Sequence, residues 1–151
     1  MIKNLTKQEI SYVLKSHYIG HLAYTYLGKP FVVPITYYYD EKNTTIICYS
    51  GEGHKINALR KNNNVALEVS EINSVNNWRS VLVHGQYEEL KGSTAKAELH
   101  GFSLGVKDLI IKNEQRELNF ISEFSSKIYK GEIPIVFKIL IEDITGKERI
   151  R

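Results

Sequence analysis

The chain has one cysteine, three prolines, one tryptophan and one methionine in 151 residues. A lone Cys48 excludes an intramolecular disulfide framework. So few prolines argue against a Pro-rich or low-complexity segment. No window approaches the length and apolarity of a membrane-spanning helix, and the charged start MIKNLTKQEISYVLKSH lacks the apolar core of a signal peptide. A cytoplasmic location with no membrane partner is therefore expected. There is no paired Cys or HExxH spacing among the five histidines, so no metal site is expected. The net charge of +3 is too weak to demand nucleic acid, although it suits a small anion. The sequence contains no Walker loop. A dinucleotide fingerprint fails because Ile56 stands where the third glycine is needed. No Ser-His-Asp or Cys-His pattern is present either, so any catalysis is expected to rest on a cofactor.

What is present is 42% hydrophobic residues, 25% charged residues and ten tyrosines, many in β-like runs. Tyrosine offers an apolar face and a polar tip, which suits a ligand or subunit interface. A chain of this length is expected to form one domain over residues 1–151, with a core of its own. Thr6-Lys7-Gln8-Glu9 is a capping box, with Leu5 and Ile10 placed as a hydrophobic staple, so a helix begins at residue 7. Strands are predicted from Ile19 to Tyr26, Phe31 to Tyr39, Thr45 to Tyr49, Val65 to Val69, Trp78 to Leu90, and Ile135 to Ile141. Leu27-Gly28-Lys29-Pro30, Glu71 to Asn77 and Thr145-Gly146-Lys147 read as turns or loops. A short helix follows His54. The 94–130 region is helical in character, with Phe120, Phe124 and Ile128 at four-residue spacing, but Gly101 and Gly105 interrupt its first half. Six strands with short turns and few helices predict an antiparallel barrel with peripheral helices.

Three places could carry chemistry. Pro34 cannot donate to a sheet, so it lies at an edge, at a bulge, or where a ligand rather than a strand fills the neighbouring space. Ser50-Gly51-Glu52-Gly53-His54-Lys55 gathers backbone donors, a helix start and two cationic side chains, a set that holds an anion. The same six residues also fit an ordinary glycine turn with solvated charges. Trp78-Arg79-Ser80 sits where a loop meets the longest strand, and Arg79 could give a phosphate a planar donor. His17, His21, His84 and His100 have no partner at catalytic spacing.

Five segments taken together are more specific than any one of them. GHLAY (Gly20–Tyr24), VVPITYYYD (Val32–Asp40), EGHKINALRKNNNVALEV (Glu52–Val69), NWRSVLVHGQYEEL (Asn77–Leu90) and ITGKE (Ile144–Glu148) resemble the pyridoxamine 5′-phosphate oxidase-like, FMN-binding split-barrel family. More narrowly, they resemble the branch that includes nitroimidazole-resistance reductases. The resemblance implies a six-stranded split barrel, a homodimer, and FMN in each of two clefts between subunits. It places Val33, Pro34, Ile35 and Thr36 against the flavin ring, and Tyr49 and Ser50 along the ribityl and phosphate region. His54 and Lys55 fall on the phosphate, and Arg79 and Ser80 complete the site with Trp78 as a neighbour. The implied function is an FMN-dependent oxidoreductase using NAD(P)H or another donor. A non-catalytic flavin or haem carrier or sensor is the alternative, and the family also has deazaflavin-binding relatives. Two departures stand out. The end ITGKERIR lacks the Trp and the Arg-x-His/Arg segment of the true oxidases, so pyridoxamine phosphate oxidation is not expected. Tyr49 replaces the His of the nitroimidazole-resistance members.

Overall fold

A computed structural model of the chain describes residues 1–114 and 134–151. The predicted helical spacing of Phe120, Phe124 and Ile128 lies outside the described residues. In chain order the elements are β1 (Ile2–Asn4), α1 (Lys7–Ser16), β2 (Ile19–Tyr26), β3 (Lys29–Asp40) and β4 (Thr45–Ser50). They are followed by α2 (His54–Lys61), β5 (Asn64–Ser74), β6 (Asn77–Leu90), α3 (Gly92–Glu114) and β7 (Ile135–Ile150).

The strands form one antiparallel sheet in the order β1-β7-β4-β3-β2-β5-β6, and β7 also pairs with β6. That second pairing closes six strands into the predicted barrel. The seventh strand, β1, was not expected. It lies along Lys147–Arg149 of β7, beyond the point where β4 ends. Period-two alternation turns Val65, Leu67 and Val69 of β5 and Val81 and Val83 of β6 into the barrel, as their spacing predicts.

Two strands run past the ends read from the sequence. Residues expected to form a loop from Glu71 instead continue β5 to Ser74, so the β5–β6 connection is a tight hairpin. Strand β7 runs straight through Thr145-Gly146-Lys147, because β6 pairs with it from Leu90 back to Asn77 and supplies partners throughout. A bulge where His84 and Gly85 oppose Asp143 and Ile141 inserts Glu142 as an extra residue. The inward set therefore changes from Phe137, Ile139 and Ile141 to Ile144 and Gly146, and the alternation seen in the sequence is broken there. At the β2–β3 hairpin, Leu27 and Gly28 both have positive φ, 50° and 75°, the signature of the two-residue turn that follows sheet twist.

The capping box of α1 forms as read: Glu9 N–H donates to Thr6 Oγ1 at 3.2 Å, and Thr6 N–H donates to Glu9 Oε1 at 3.0 Å. Leu5 and Ile10 close over Gly146, where a Cβ would come within 2.8–2.9 Å of both side chains. Helix α3 is continuous through both glycines. Ala95, Leu99, Phe102, Val106 and Ile110 form its buried face, and they pack on Ile47 and Val136 outside the barrel. Gly105 is there for packing, since the Tyr38 ring lies where its Cβ would be. This second cluster explains why β4 is buried on both faces, with Ile46 and Cys48 inward and Ile47 and Tyr49 under α3.

The tyrosines are mostly internal rather than on a wet surface. Tyr24, Tyr37 and Tyr87 are buried, and Tyr12 is the one described tyrosine that is fully exposed. Burial pushes the Tyr37 phenol well above its ordinary range, and its hydroxyl donates to the Leu14 carbonyl at 2.8 Å. Tyr37→Phe leaves that carbonyl without its partner and is expected to lower stability by about 1 kcal/mol, read as a shift in urea midpoint with unchanged m. An unchanged midpoint would show that the bond contributes nothing.

Candidate functional site: the turn before helix α2

Strand β4 delivers the chain to one end of the barrel, where Ser50 is 7% exposed and donates its hydroxyl to the Gly51 carbonyl at 2.9 Å. Helix α2 then starts at His54 with Gly53 as N-cap and no side-chain cap. Its first backbone N–H groups lack a side-chain acceptor, and they carry the positive end of the helix dipole. A Cβ at Gly51 or Gly53 would meet nothing within 4 Å. The chain's own packing therefore does not demand these glycines, and they leave the space beside the helix start clear. Lys55 is half-buried and has no ion-pair partner among the described residues, while His54 is exposed.

One carboxylate lies in this turn, and it is held elsewhere. Arg60, near the other end of α2, grips Glu52 with Nη1 and Nη2, both at 3.0 Å. The same guanidinium donates to Glu89 of β6 at 2.8 and 3.1 Å. Glu52 is thus held by Arg60, which it shares with Glu89. Arg60 and Glu89 were missed by sequence reasoning, because 29 residues separate them and only the tertiary fold brings helix α2 to strand β6. The Arg60 guanidinium holds the Glu89 carboxyl below the usual carboxylate range, against the opposing effect of partial burial, and the Tyr87 hydroxyl assists at 2.8 Å. A depressed carboxyl contributes stability that is complete above the ordinary Glu value of about 4.3 and is lost as pH falls through the folded value. Glu89→Gln is therefore expected to flatten the acid side of the stability curve below about pH 5, measured by denaturant titration at each pH. An acid limb as steep as that of the wild type would rule the clamp out.

His54 is the other organised residue. Tyr24 places its hydroxyl 2.9 Å from His54 Nδ1. Phe31 and Tyr26 stand against the ring with centroids 4.8 and 5.0 Å away. Cys48, close behind Lys55, is fully buried; burial pushes its thiol up, so it stays protonated and is no nucleophile at neutral pH.

The remaining predicted site residues divide between faces. In β3, Ile35 and Val33 turn to the core, while Pro34 and Thr36 lie on the outer face. Strand β3 pairs with β2 along residues 29–36 but with β4 only over 37–40. Pro34 thus sits where one side of the strand has no ladder, the edge position that its missing N–H requires. Tyr49 and Ser50 point to opposite sides of β4. The Tyr49 ring packs edge-on against Phe102 at 5.0 Å, and burial pushes its phenol up to about 12.

Trp78, Arg79 and Ser80 also split. Ser80 donates to Glu68 Oε2 at 3.2 Å on the outer face, where Glu68 also meets His21 at 3.2 Å. Trp78 shares that alternate face. Arg79 turns the other way and is already engaged, with Glu148 at 3.0 Å and Glu9 at 3.8 Å. Arg79 stands ten residues from Glu89 along β6, on the order of 30 Å. The structure therefore gathers Ser50, His54 and Lys55 in one place and does not bring Trp78, Arg79 and Ser80 to them within one chain.

Comparison with known proteins gives a consistent picture. An uncharacterized protein of Rhizobium meliloti is 27% identical over 148 residues, covering 97% of this chain and 94% of that one. The crystal structure of an FAD-binding protein from Mesorhizobium loti matches with a TM-score of 0.75 and 27% identity, covering 100% of this chain and 98% of that one. A candidate 5-nitroimidazole antibiotic resistance protein from Bacteroides thetaiotaomicron matches with a TM-score of 0.66 and 22% identity, covering 98% and 89%. The family model for pyridoxamine 5′-phosphate oxidase matches residues 6–147, from the Thr6 cap of α1 to the barrel-closing strand β7, and the chain belongs to that family.

Proposed function

We propose that the chain is a homodimeric flavoprotein that binds FMN and serves as an oxidoreductase, with NAD(P)H or another reductant as electron donor. The observation that carries this reading is the start of α2: N–H groups with no side-chain cap, a half-buried Lys55 with no ion-pair partner among the described residues, an oriented His54 and clear space at Gly51 and Gly53. Arg60 withdraws the one acidic side chain of the turn. A monoester phosphate carries nearly two negative charges at neutral pH, and this donor set suits it. The Mesorhizobium relative is described as binding FAD, which shares the flavin ring, ribityl arm and first phosphate with FMN.

In this reading Lys55, His54 and the helix N–H groups hold the phosphate, and Ser50 lines the approach. The outward face of Pro34 and Thr36 supports the ring, with the ladder-free side of β3 admitting it. The bound flavin supplies the hydride or electron transfer, and the protein orients it and shields one face. Because Trp78 and Ser80 lie far from the turn in one chain, a second copy brings them to the site. Val32 at 64% and Ile19 at 54% exposure on the same outer face give that copy an apolar surface to cover.

The absorbance spectrum of purified protein tests the cofactor. Flavin bands, or their appearance together with a rise in Tm on adding FMN, are expected. A colourless protein that gains neither would overturn the reading. A monomer at micromolar concentration that still holds FMN tightly would overturn the dimer. Stopped-flow reduction by NADH or NADPH, followed by reoxidation with an added acceptor, separates an oxidoreductase from a flavin carrier, which would show no turnover.

A further inference from the structure

His54 is enclosed by rings from two strands. Tyr24, 5% exposed, stacks on Phe31 with centroids 5.5 Å apart and 11° between planes. Both rings contact the imidazole, and Tyr26 meets it edge-on at 77°. Nδ1 is engaged by the Tyr24 hydroxyl, and Nε2 has no partner among the described residues.

A neutral imidazole carries one N–H, and its neighbours decide which nitrogen holds it. A hydroxyl that donates to Nδ1 makes Nδ1 the acceptor and leaves the proton on Nε2. When the ring is protonated, Nδ1–H donates back to the phenolic oxygen and Nε2–H is retained. Where the Tyr24 hydroxyl is the donor in this 2.9 Å contact, Nε2 is a donor in both protonation states.

We propose that Tyr24 is a positioning residue that keeps His54 Nε2 a hydrogen-bond donor to the cofactor phosphate in both protonation states of the ring. The inference rests on the flavin-phosphate reading and adds to it a residue that does not touch the ligand. The charged and titratable groups around the ring leave this task to Tyr24. Helix α2 contributes Lys55 and Lys61, whose Nζ lies 5.4 Å from the centre of the Tyr26 ring. The preceding turn contributes Glu52, which Arg60 holds. Strand β2 contributes the phenols of Tyr24 and Tyr26, and β3 contributes the uncharged Phe31. Among the described residues no carboxylate bonds to the imidazole.

The test compares wild-type and Tyr24→Phe dissociation constants for FMN across about pH 5.5 to 8.5, a window that brackets an ordinary imidazole. Taking the ratio of the two proteins cancels the titration of the phosphate itself. The ratio is expected near one at the acid end, where imidazolium donates from both nitrogens, and a few-fold at the alkaline end. Riboflavin, which lacks the phosphate, is expected to show a ratio near one throughout. Adding His54→Gln to Tyr24→Phe is expected to remove the pH dependence, because a carboxamide N–H does not titrate. A pH-independent loss in Tyr24→Phe would mean a merely structural role and overturn the proposal. Nitrogen-15 NMR of the wild-type histidines keeps the idea testable if the variant fails to fold. The Nε2–H tautomer supports it, and Nδ1–H overturns it. Wild-type protein that binds no FMN at any pH overturns the flavin reading together with this inference, whereas a flat ratio with tight wild-type binding overturns this inference alone.

Discussion

Lys55→Ala is expected to weaken FMN binding by about 100-fold while leaving riboflavin affinity unchanged. The side chain is half-buried beside the uncapped start of α2 and has no ion-pair partner among the described residues. A charge-assisted bond to a phosphate in such a partly desolvated place is worth about 2–3 kcal/mol, and every 1.4 kcal/mol is tenfold. The substitution should cost little in stability, since no ion pair is broken and a half-buried alanine suits a helix. Fluorescence titration with the two flavins reads the difference directly. Equal losses for FMN and riboflavin would place Lys55 away from the phosphate, and no loss for either would remove it from the site. Raising the salt concentration should weaken FMN binding and spare riboflavin for the same reason.

Gly85→Ala is the substitution expected to damage the fold most. Gly85 sits at the bulge where β6 meets β7, and a Cβ there would lie 2.3 Å from the Leu140 carbonyl oxygen and 2.8 Å from Ile139 Cγ2. The obstacle is backbone in the strand that closes the barrel, so it cannot rotate away as a side chain would. Separating the strands at that point costs about 3 kcal/mol, equivalent to a fall in Tm of about 6–12 °C in a chain of this size. Gly101→Ala is the matched control. It lies in α3 with nothing within 4 Å of its Cβ, and alanine is the better helix former, so its Tm should stay level or rise. If both variants melted alike, the close approach of β6 and β7 would not be the cause.

Much of the barrel was legible because its signals are local. Alternation over Val65 to Val69 and Val81 to Val83, the capping box at Thr6 and the Leu27-Gly28 turn each need only neighbouring residues to be read. The places that escaped involve partners far along the chain. Strand β7 outlasts its apparent stop at Thr145-Gly146 because β6 pairs with it on both sides of Glu142, and the bulge at that residue hides the continuing alternation. Strand β1 exists only because β4 ends and leaves β7 an open edge. The glycines of α3 read as interruptions until Tyr38 is seen against Gly105.

The candidate site divides in the same way. The turn from Ser50 to Lys55 was determined by the sequence itself, since small residues, a helix start and adjacent cations are consecutive, and strand chemistry limited Pro34 to an edge, a bulge or a ligand-filled gap. Tertiary structure alone decided the rest. It sent Tyr49 under α3 and Ser50 to the other side of the strand, and it committed Arg79 to Glu148 and Glu9. It also placed Arg60 between Glu52 and Glu89, and Tyr24 against His54. The physical reason is that a side chain's charge and donor capacity become available or spent only through its partners. Those partners are chosen by the tertiary fold across separations of about 30 to 70 residues, which no local pattern encodes.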